Sequence, residues 1–334
     1  MSRRSVSALL LCVAVAACDD AGALRRFRGP TMGSTYEVQY VADVALPTVR
    51  AAVEQELAAF DRAFSQWRDD SEIARVNTHA STEPLAVSPR FAEVLALALR
   101  IAAATDGAFD PTVKPLSDLF RAAKRDPTHR LDAAALAAAR PRIGHTLLAV
   151  RDGFVVKRRA DVQVDLDGLV AGAAADAIAE RLHALGVRSF FLQITGEVLA
   201  HGEKAPGVPW IAGVVDPQSD AVGGEVAAAA LPLRDRALCT SGDYRNGFRG
   251  EGGFVHHVFD PRSGTNASHR TVSVSVLAPS AAVADALGTA LLVLGDEAGA
   301  ALLPRLEGFG ALGALFLVAG EGGGLQRVEV GWPD

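Results

Sequence analysis

Apolar and polar residues repeat with two different periods along this chain. Between Leu46 and Phe64, apolar side chains recur every three or four residues, which predicts an amphipathic helix. From Thr271 to Leu277, polar and apolar residues alternate, which predicts a half-buried strand. Further strands are predicted over 162–166, 189–194, 210–217 and 314–319, a hairpin over 145–156, and helices over 89–105, 117–143 and 297–303. Because these elements follow one another irregularly and no repeat occurs, we predict an α+β fold rather than a doubly wound sheet.

A helix predicted from Ala281 to Leu294, closing at Gly295, carries the first candidate chemistry. Asp285 and Thr289 are four residues apart on it, so their side chains point the same way, one turn apart. Carboxylate and hydroxyl oxygens suit Mg²⁺, which also accepts water and substrate phosphate. An aspartate and a threonine at this spacing also occur as solvent-facing or capping residues, so the pair alone leaves both interpretations open.

A strand, a glycine-containing turn and a helix start are predicted around Gly168. The strand covers 162–166, and after the turn an alanine-rich helix continues to Gly186. Free N–H groups and the helix dipole converge at a helix start, so this segment could bind an anion. The spacing matches neither a dinucleotide-binding G-x-G-x-x-G motif nor a P-loop.

Composition and charge narrow the classes of function. The 334 residues are 49% hydrophobic, which is enough for one large core or two fused ones. The net charge of −6 is mild, and no block of Lys or Arg indicates binding to nucleic acid. Cys239 is the one cysteine expected in the folded part, so no internal disulfide is expected. A nucleophilic role for its thiol is an alternative, although no neighbouring feature would obviously lower its pKa.

The first eighteen residues resemble the export signal of a bacterial lipoprotein. Arg3 and Arg4 precede an apolar run that is too short for a membrane span, which needs roughly 20 residues. Val15-Ala-Ala-Cys18 then resembles the lipobox, in which the cysteine carries the lipid. We therefore expect a signal peptide over 1–17, lipidation at Cys18, a tether over 18–30, and anchoring at the periplasmic face of the inner membrane. An ordinary signal peptide with a nearby cysteine is the alternative.

Seven segments spread over nearly the whole mature chain form a joint pattern. They are Thr31-Met-Gly-Ser34, Ser65-Gln-Trp-Arg-Asp-Asp-Ser71, Gly107-Ala-Phe-Asp-Pro-Thr-Val-Lys-Pro-Leu116, Val164-Asp-Leu-Asp-Gly168, Thr240-Ser-Gly-Asp-Tyr244, His257-Val-Phe-Asp-Pro-Arg-Ser-Gly264 and Ala284-Asp-Ala-Leu-Gly-Thr289. In this order they resemble the ApbE-type FAD:protein FMN transferases. The resemblance implies a flavin transferase domain over 31–334, made of two fused α+β lobes with mixed or antiparallel sheets and a flavin-nucleotide cleft between them.

The same resemblance implies roles for individual residues. Asp285, Thr289 and the backbone carbonyl of Gly168 look like ligands of one or two Mg²⁺ ions at the FAD pyrophosphate. Contacts with the flavin nucleotide are implied for Met32, Trp67, Ala108, Phe109, Asp110, Asp165, Ala171 and Phe259. His257 looks like the family's histidine, and His256 is its less certain neighbour. Taken singly, these aromatic residues could belong to the core, the histidine to a strand, and Asp110 and Asp260 to turns before proline.

The implied reaction is a Mg²⁺-dependent transfer of FMN from FAD to a threonine or serine of a client protein, with release of AMP. The expected clients are exported or membrane-bound electron-transfer flavoproteins, and His257 as a positioned base could contribute about 10²–10⁴-fold in rate. Alternatives are a Mg²⁺-dependent FAD pyrophosphatase, which gives FMN and AMP, and a non-catalytic flavin-binding lipoprotein. Two positions depart from the family pattern: Ala171 replaces the usual Lys or Glu, and Thr195-Gly-Glu197 replaces a Gly-Gly-Asp type of turn.

Overall fold

The computed structural model describes residues 22–219, 227–244, 246–250, 253–310 and 312–333. Its strands are β1 Leu24–Thr31, β2 Ser34–Val41, β3 Leu85–Ala86, β4 Leu148–Arg151, β5 Phe154–Lys157, β6 Ser189–Ile194, β7 Glu197–His201, β8 Trp210–Val215, β9 Ala227–Leu233, β10 Arg236–Gly242, β11 Gly247–Gly250, β12 Gly253–His256, β13 Phe259–Asp260, β14 Thr265–Asn266, β15 Thr271–Ala278, β16 Gly313–Ala319 and β17 Leu325–Val330. Its helices are α1 Leu46–Phe64, α2 Glu72–Thr78, α3 Pro89–Ala104, α4 Lys114–Arg125, α5 Ala133–Ala139, α6 Val170–Ala184 and α7 Ala281–Leu302, with short 3₁₀ turns at Arg140–Arg142, His145–Leu147 and Leu303–Phe309.

An eight-stranded sheet in the order β1-β2-β6-β7-β10-β15-β16-β17 forms the centre of the molecule. Its strand pairs are antiparallel throughout. Helices α1, α6 and α7 cover one face, where Val38, Ile178 and Leu287 belong to the same buried core. The α+β prediction is confirmed, and the division into two lobes stays a prediction.

The second face of the sheet is covered by the β8–β9 hairpin. Trp210 and Val214 of β8 are buried against Val198, Leu277 and Leu315 of the sheet. With both faces covered, β15 is buried along nearly its whole length. The prediction of a half-buried strand is therefore wrong, because the polar residues of β15 face protein as well: Ser275 Oγ lies 2.8 Å from Thr240 Oγ1.

The tether predicted over 18–30 is wrong for its second half. Residues 24–31 form β1 and pair with β2 over their full length. Phe27 is 4% exposed and packs edge-on against Tyr36, so this segment belongs to the core. Side chains alternate between the two faces of β1, and this alternation turns Phe27 toward the core although its neighbours along the strand are basic.

The strand predicted over 162–166 is also wrong. The segment is extended, but its backbone groups bond to Asn77 and Pro111 rather than to a neighbouring strand. Val164 N donates to the Asn77 side chain at 2.6 Å, and the Asn77 side chain donates to Val164 O at 2.9 Å. Asp165 N donates to Pro111 O at 2.8 Å. Between β8 and β9, residues 220–226 lie outside the described residues, and β9 begins at Ala227.

Helix α7 begins and breaks at residues that the sequence indicates. Ser280 caps it by accepting from Val283 N at 3.3 Å. The helix predicted to close at Gly295 does so, since Gly295 has φ 78°, and a second helical segment follows directly. Within the described residues, the stretch Ala281–Phe309 is long and apolar enough to span a membrane, since one 18-residue window in it has a mean hydropathy of 1.5. Its apolar character serves the core, because 61% of this window is buried inside the protein.

Candidate active site

A cavity of about 620 Å³ opens between α4, the starts of α6 and α7, and the ends of several strands. Nine of the residues singled out in the sequence line it: Ala108, Phe109, Asp110, Asp165, Gly168, His257, Phe259, Asp285 and Thr289. Met32, Trp67 and Ala171 do not. Segments more than a hundred residues apart in sequence thus meet around one space.

The α7 wall of the cavity carries Asp285 and Thr289. The Asp285 side chain is buried, and its Oδ2 accepts from Gly172 N at 3.1 Å. Thr289 Oγ1 lies 3.4 Å from Ser241 Oγ on β10. A side-chain carbon added to Gly168 would lie 2.9 Å from Thr289 Oγ1, so the backbone of Gly168 rests directly against this hydroxyl. Carboxylate, hydroxyl and the Gly168 backbone are therefore neighbours.

The close approach of α6 and α7 depends on Gly172. A side-chain carbon at this position would lie 2.3 Å from Ala281 O, so no larger residue fits without moving a helix. Asp176 of α6 also stabilises the contact between the two helices, because its carboxylate accepts from Ser280 Oγ at 2.6 Å and from Ala281 N at 2.8 Å at the start of α7. The packing of two helix starts thus brings the Gly168 turn to Asp285.

Negative charge accumulates in this part of the cavity. Burial raises the pKa of Asp285 well above its usual range, and the nearby Glu197 carboxylate raises it further. Burial also raises the pKa of Glu197 to about 7. Asp167 also faces the cavity. Its pKa is raised to about 6, mainly by burial and further by the negative charge of the neighbouring Asp165. Carboxyl groups buried close together in this way are neutralised either by protons, as the raised pKa values indicate, or by a bound cation.

The donor set fits a magnesium ion. One carboxylate, one hydroxyl and one backbone carbonyl are hard oxygen ligands, and Mg²⁺ keeps water or substrate phosphate in its remaining positions. Among the described residues, no group of three or more His, Cys, Asp or Glu is arranged to hold a metal without such help. The site would therefore bind the metal together with a phosphate-bearing substrate.

Arg121 of α4 brings a positive charge to the rim of the same region. Its guanidinium pairs with Asp167 at 2.9 Å and with Asp165 at 3.6 Å. It also lies 5.7 Å from the ring centre of Trp67, which is 76% exposed. Gln66 donates to Asp167 at 3.0 Å. Trp67 therefore stands at the rim, connected to the cavity through Arg121 but outside its lining.

Met32 and Ala171 lie farther from the cavity lining. Met32 occupies the turn between β1 and β2 with φ 47°, and packs partly buried against the core. Ala171 is in the first turn of α6 and half-buried. For these two residues the structure gives no contact with the proposed nucleotide site.

Asp110 and Asp165 have structural partners. Asp110 Oδ1 accepts from Thr112 N at 2.8 Å and from Thr112 Oγ1 at 2.6 Å, while Oδ2 accepts from His145 N at 2.6 Å. Asp165 Oδ1 accepts from Asp167 N at 3.0 Å. The Asp110 carboxylate shapes the loop that holds the apolar wall residues Ala108 and Phe109, and the Asp165 carboxylate shapes the turn before Gly168.

The two neighbouring histidines differ in their surroundings. His256 is buried, and both ring nitrogens have partners: Nε2 donates to Ala267 O at 2.9 Å and Nδ1 accepts from Val258 N at 3.3 Å. His257 faces the cavity, and its Nδ1 donates to Asn246 O at 3.2 Å. Since Nδ1 carries the proton, Nε2 is free to accept one. Partial burial lowers the pKa of His257, which keeps the ring neutral near pH 7.

Aromatic rings form the wall next to His257. Phe120 of α4 stacks on Phe248 at 5.5 Å, meets Phe259 edge-on at 6.2 Å, and lies 6.4 Å from the His257 ring. Phe259 is 4% exposed. This wall offers flat apolar surface, which suits an aromatic ring system.

Sequence inspection missed several lining residues. Asp167 stands inside the Val164–Gly168 segment and Glu197 inside an unusual turn, so local signals existed for both. Arg121 follows Asp118 at helical spacing, a pattern that indicates only a surface ion pair. Its approach to Asp167, 46 residues away, depends on the fold.

Cys239 is not a nucleophile in this arrangement. It is 1% exposed, its Sγ contacts Ala281 O at 3.4 Å, and burial with the Glu197 charge raises the pKa of its thiol. A thiol held protonated inside the core has the inert character of a structural cysteine.

Fold and cavity place the chain in a known class: it belongs to the ApbE family, whose model matches residues 32–312. The chain is 33% identical over 307 residues to the FAD:protein FMN transferase of Vibrio cholerae serotype O1, covering 90% of each sequence. It is 32% identical to the FAD:protein FMN transferase of Klebsiella pneumoniae, covering 94% of this chain and 92% of that protein. The apo crystal structure of the Pseudomonas stutzeri flavinyl transferase ApbE superimposes with a TM-score of 0.82 at 34% identity, covering 93% of this chain and 95% of that one.

Proposed function

We propose that this protein transfers the FMN moiety of FAD to a threonine or serine of a client protein and releases AMP. One observation carries the proposal: the Gly168 turn, Asp285, Thr289 and His257 all line a single cavity. The relatives named FAD:protein FMN transferase align with nearly the whole chain and support it. The expected clients are flavoproteins of electron transport.

The cavity has separate surfaces for the parts of FAD. Phe109 and Phe259 are buried at its wall and give apolar contacts for flat rings. The dipole of α6 would favour a pyrophosphate near the Gly168 turn, although the N–H groups of Val170 and Gly172 already donate to Leu166 O and Asp285 Oδ2. Arg121 adds a guanidinium at the same end, suited to a phosphate oxygen.

Asp285, Thr289 and the Gly168 carbonyl would hold Mg²⁺. When bound, the ion would neutralise charge that develops on the pyrophosphate oxygens during transfer. Glu197 and Asp167 add negative charge that favours a cation there. Magnesium dependence is therefore part of the proposal.

In the proposed step, the client hydroxyl oxygen forms a bond to the FMN-side phosphorus. The bond from this phosphorus to the bridging oxygen breaks, and the bridging oxygen leaves with AMP. His257 Nε2 accepts the hydroxyl proton, because Nδ1 is committed to Asn246 O and the lowered pKa keeps the ring neutral. Thr–OH and FAD thus give Thr–O–FMN and AMP, with no oxidant or reductant.

The test is incubation of the purified protein with FAD, Mg²⁺ and a flavin-free acceptor protein that the Vibrio cholerae relative flavinylates. The expected result is a covalent gain of one FMN less one water on the acceptor, with one AMP released per transfer. AMP without the mass gain would indicate a pyrophosphatase. FAD that is bound but intact would indicate a non-catalytic flavin-binding protein.

We also propose that Cys18 anchors the protein to the periplasmic face of the inner membrane. The lipobox-like Val15-Ala-Ala-Cys18, which lies outside the described residues, supports this. Because β1 begins at Leu24, only residues 19–23 separate the anchor from the folded domain. Five residues span at most about 18 Å, which would keep the cavity close to membrane-bound clients. Cys18→Ser should move the protein from the membrane fraction to the soluble fraction, and unchanged fractionation would contradict the anchor.

A further inference from the structure

The cavity extends beyond the proposed nucleotide site, onto the second face of the main sheet. There it is lined by Phe191, Gln193 and Val198 of the sheet and by Ile211, Gly213 and Val215 of β8. None of these side chains is charged, in contrast to the acidic end at Asp167, Glu197 and Asp285. The two ends are continuous, because Val198 directly follows Glu197 and pairs in register with Gln193.

The β8 strand, which contributes to the lining of this extension, has one edge without a strand partner among the described strands. Its other edge pairs with β9. Trp210 and Val214 are buried against the sheet and fix the strand in place. Ile211 points the opposite way, lines the cavity and is 59% exposed, so its side chain is available for contact with a ligand.

Gln193 adds a polar group to the same groove. Its side chain is exposed and has no hydrogen-bond partner among the described residues, so its amide can both donate and accept. An open strand edge, an exposed isoleucine and a free amide are the elements that bind an extended peptide: backbone hydrogen bonds give affinity and side-chain contacts give selectivity.

We infer that this groove, lined by Phe191, Gln193, Val198, Ile211, Gly213 and Val215, binds the acceptor segment of the client protein in an extended conformation. The inference rests on the proposed function, which requires a protein hydroxyl to enter the cavity beside the nucleotide. The groove is the uncharged part of the cavity and leads to Glu197 at the acidic end. It therefore offers an acceptor segment a path that does not displace FAD.

The test compares Ile211→Glu with Val208→Glu, a matched change at a residue that is 48% exposed just before β8 but does not line the cavity. Client and FAD concentrations are varied separately with the acceptor protein flavinylated by the Vibrio cholerae relative. For Ile211→Glu we expect kcat/KM for the acceptor to fall roughly 10- to 100-fold, the effect of losing one buried aliphatic contact. KM for FAD should not change, Val208→Glu should behave as wild type, and Ile211→Leu should recover most of the activity.

Gln193→Ala serves as a second variant in case Ile211→Glu lowers the amount of folded protein. It should raise KM for the acceptor while KM for FAD stays constant. Unchanged acceptor kinetics in both variants, or an equal loss in Val208→Glu, would overturn the inference and leave the transferase function standing. Absence of transfer by the wild-type protein, with the Vibrio cholerae relative active in parallel, would overturn the function and the inference together.

Discussion

Two pairs of residues at the cavity, Asp110 with His256 and Asp285 with His257, use the same residue types in opposite ways. Asp110 has three hydrogen bonds from the protein, and both ring nitrogens of His256, which is buried behind the cavity wall, have partners. Asp285 accepts one bond from the protein, and His257, the neighbour of His256, uses one ring nitrogen. The first pair is satisfied by the fold, whereas the second pair keeps polar atoms free for a ligand.

This difference separates structural groups from reactive ones more clearly than residue type does. A buried polar group with all its partners stabilises the loop that holds it. A buried carboxylate with too few partners is costly unless a cation completes it, and the raised pKa of Asp285 expresses that cost. The contrast predicts which variants lose activity and which lose stability.

The largest effect is expected from Asp285→Asn. The amide oxygen can still accept from Gly172 N, so the fold should persist, but the charge that holds the cation is lost. We expect FMN transfer to fall by about 10³-fold or more, at the upper end of what removing one group that stabilises transition-state charge costs. Transfer rates under saturating FAD and Mg²⁺, with circular dichroism as the control, measure this. Activity near the wild-type level would contradict the role of the α7 wall.

His257→Ala should slow transfer by about 10²-fold, the lower range for a positioned base, while FAD affinity changes little. His256→Gln is the neighbouring comparison and should act on stability instead. In the wild type, burial lowers the pKa of His257 below its usual value of 6.5, so most of the base is deprotonated at pH 7. The rate should therefore rise with pH to a midpoint below 6.5 and then level off, and this acid limb should vanish in His257→Ala.

Asp110→Ala should lower the free energy of unfolding by about 2–4 kcal/mol, because buried donors at Thr112 and His145 lose their acceptor. Urea denaturation measures the change. Transfer by the folded protein should fall far less than in Asp285→Asn. The reverse order, with a stable but inactive Asp110→Ala, would break the distinction between the two carboxylates.

The smallest effect concerns Mg²⁺ and pH. Glu197 has a pKa of about 7 in the folded protein against 4.5 when unperturbed, so the folded state binds more protons between these values. Without metal, stability should therefore fall as pH rises from 4.5 through 7. Mg²⁺ competes with those protons, so it should raise Tm by more at pH 8 than at pH 5. An equal shift at both pH values, or one retained in Asp285→Asn, would contradict the site.

The sequence predicted the parts of this account that depend on local pattern. The period of three to four residues placed α1 at its observed bounds, and the spacing of Asp285 and Thr289 placed both on one helix face. Gly295 marked the break in α7. Family resemblance supplied the remaining candidates, seven of which line the cavity.

Long-range contacts explain what could not be predicted. The burial of β15 results from a hairpin that covers the second face of the sheet, which alternation within one strand cannot reveal. The backbone at 162–166 looks like a strand in sequence, but its partners are Asn77 and Pro111 from distant segments. Whether a carboxylate is satisfied, as at Asp110, or left open, as at Asp285, depends on such partners.

The most direct test of the central claim is a crystal of the protein soaked with FAD and Mn²⁺, with the metal located by anomalous scattering. The account predicts a peak coordinated by the Asp285 carboxylate, the Thr289 hydroxyl and the Gly168 carbonyl, in contact with the FAD pyrophosphate. A pyrophosphate bound elsewhere in the cavity, or a metal peak away from these three ligands, would contradict it.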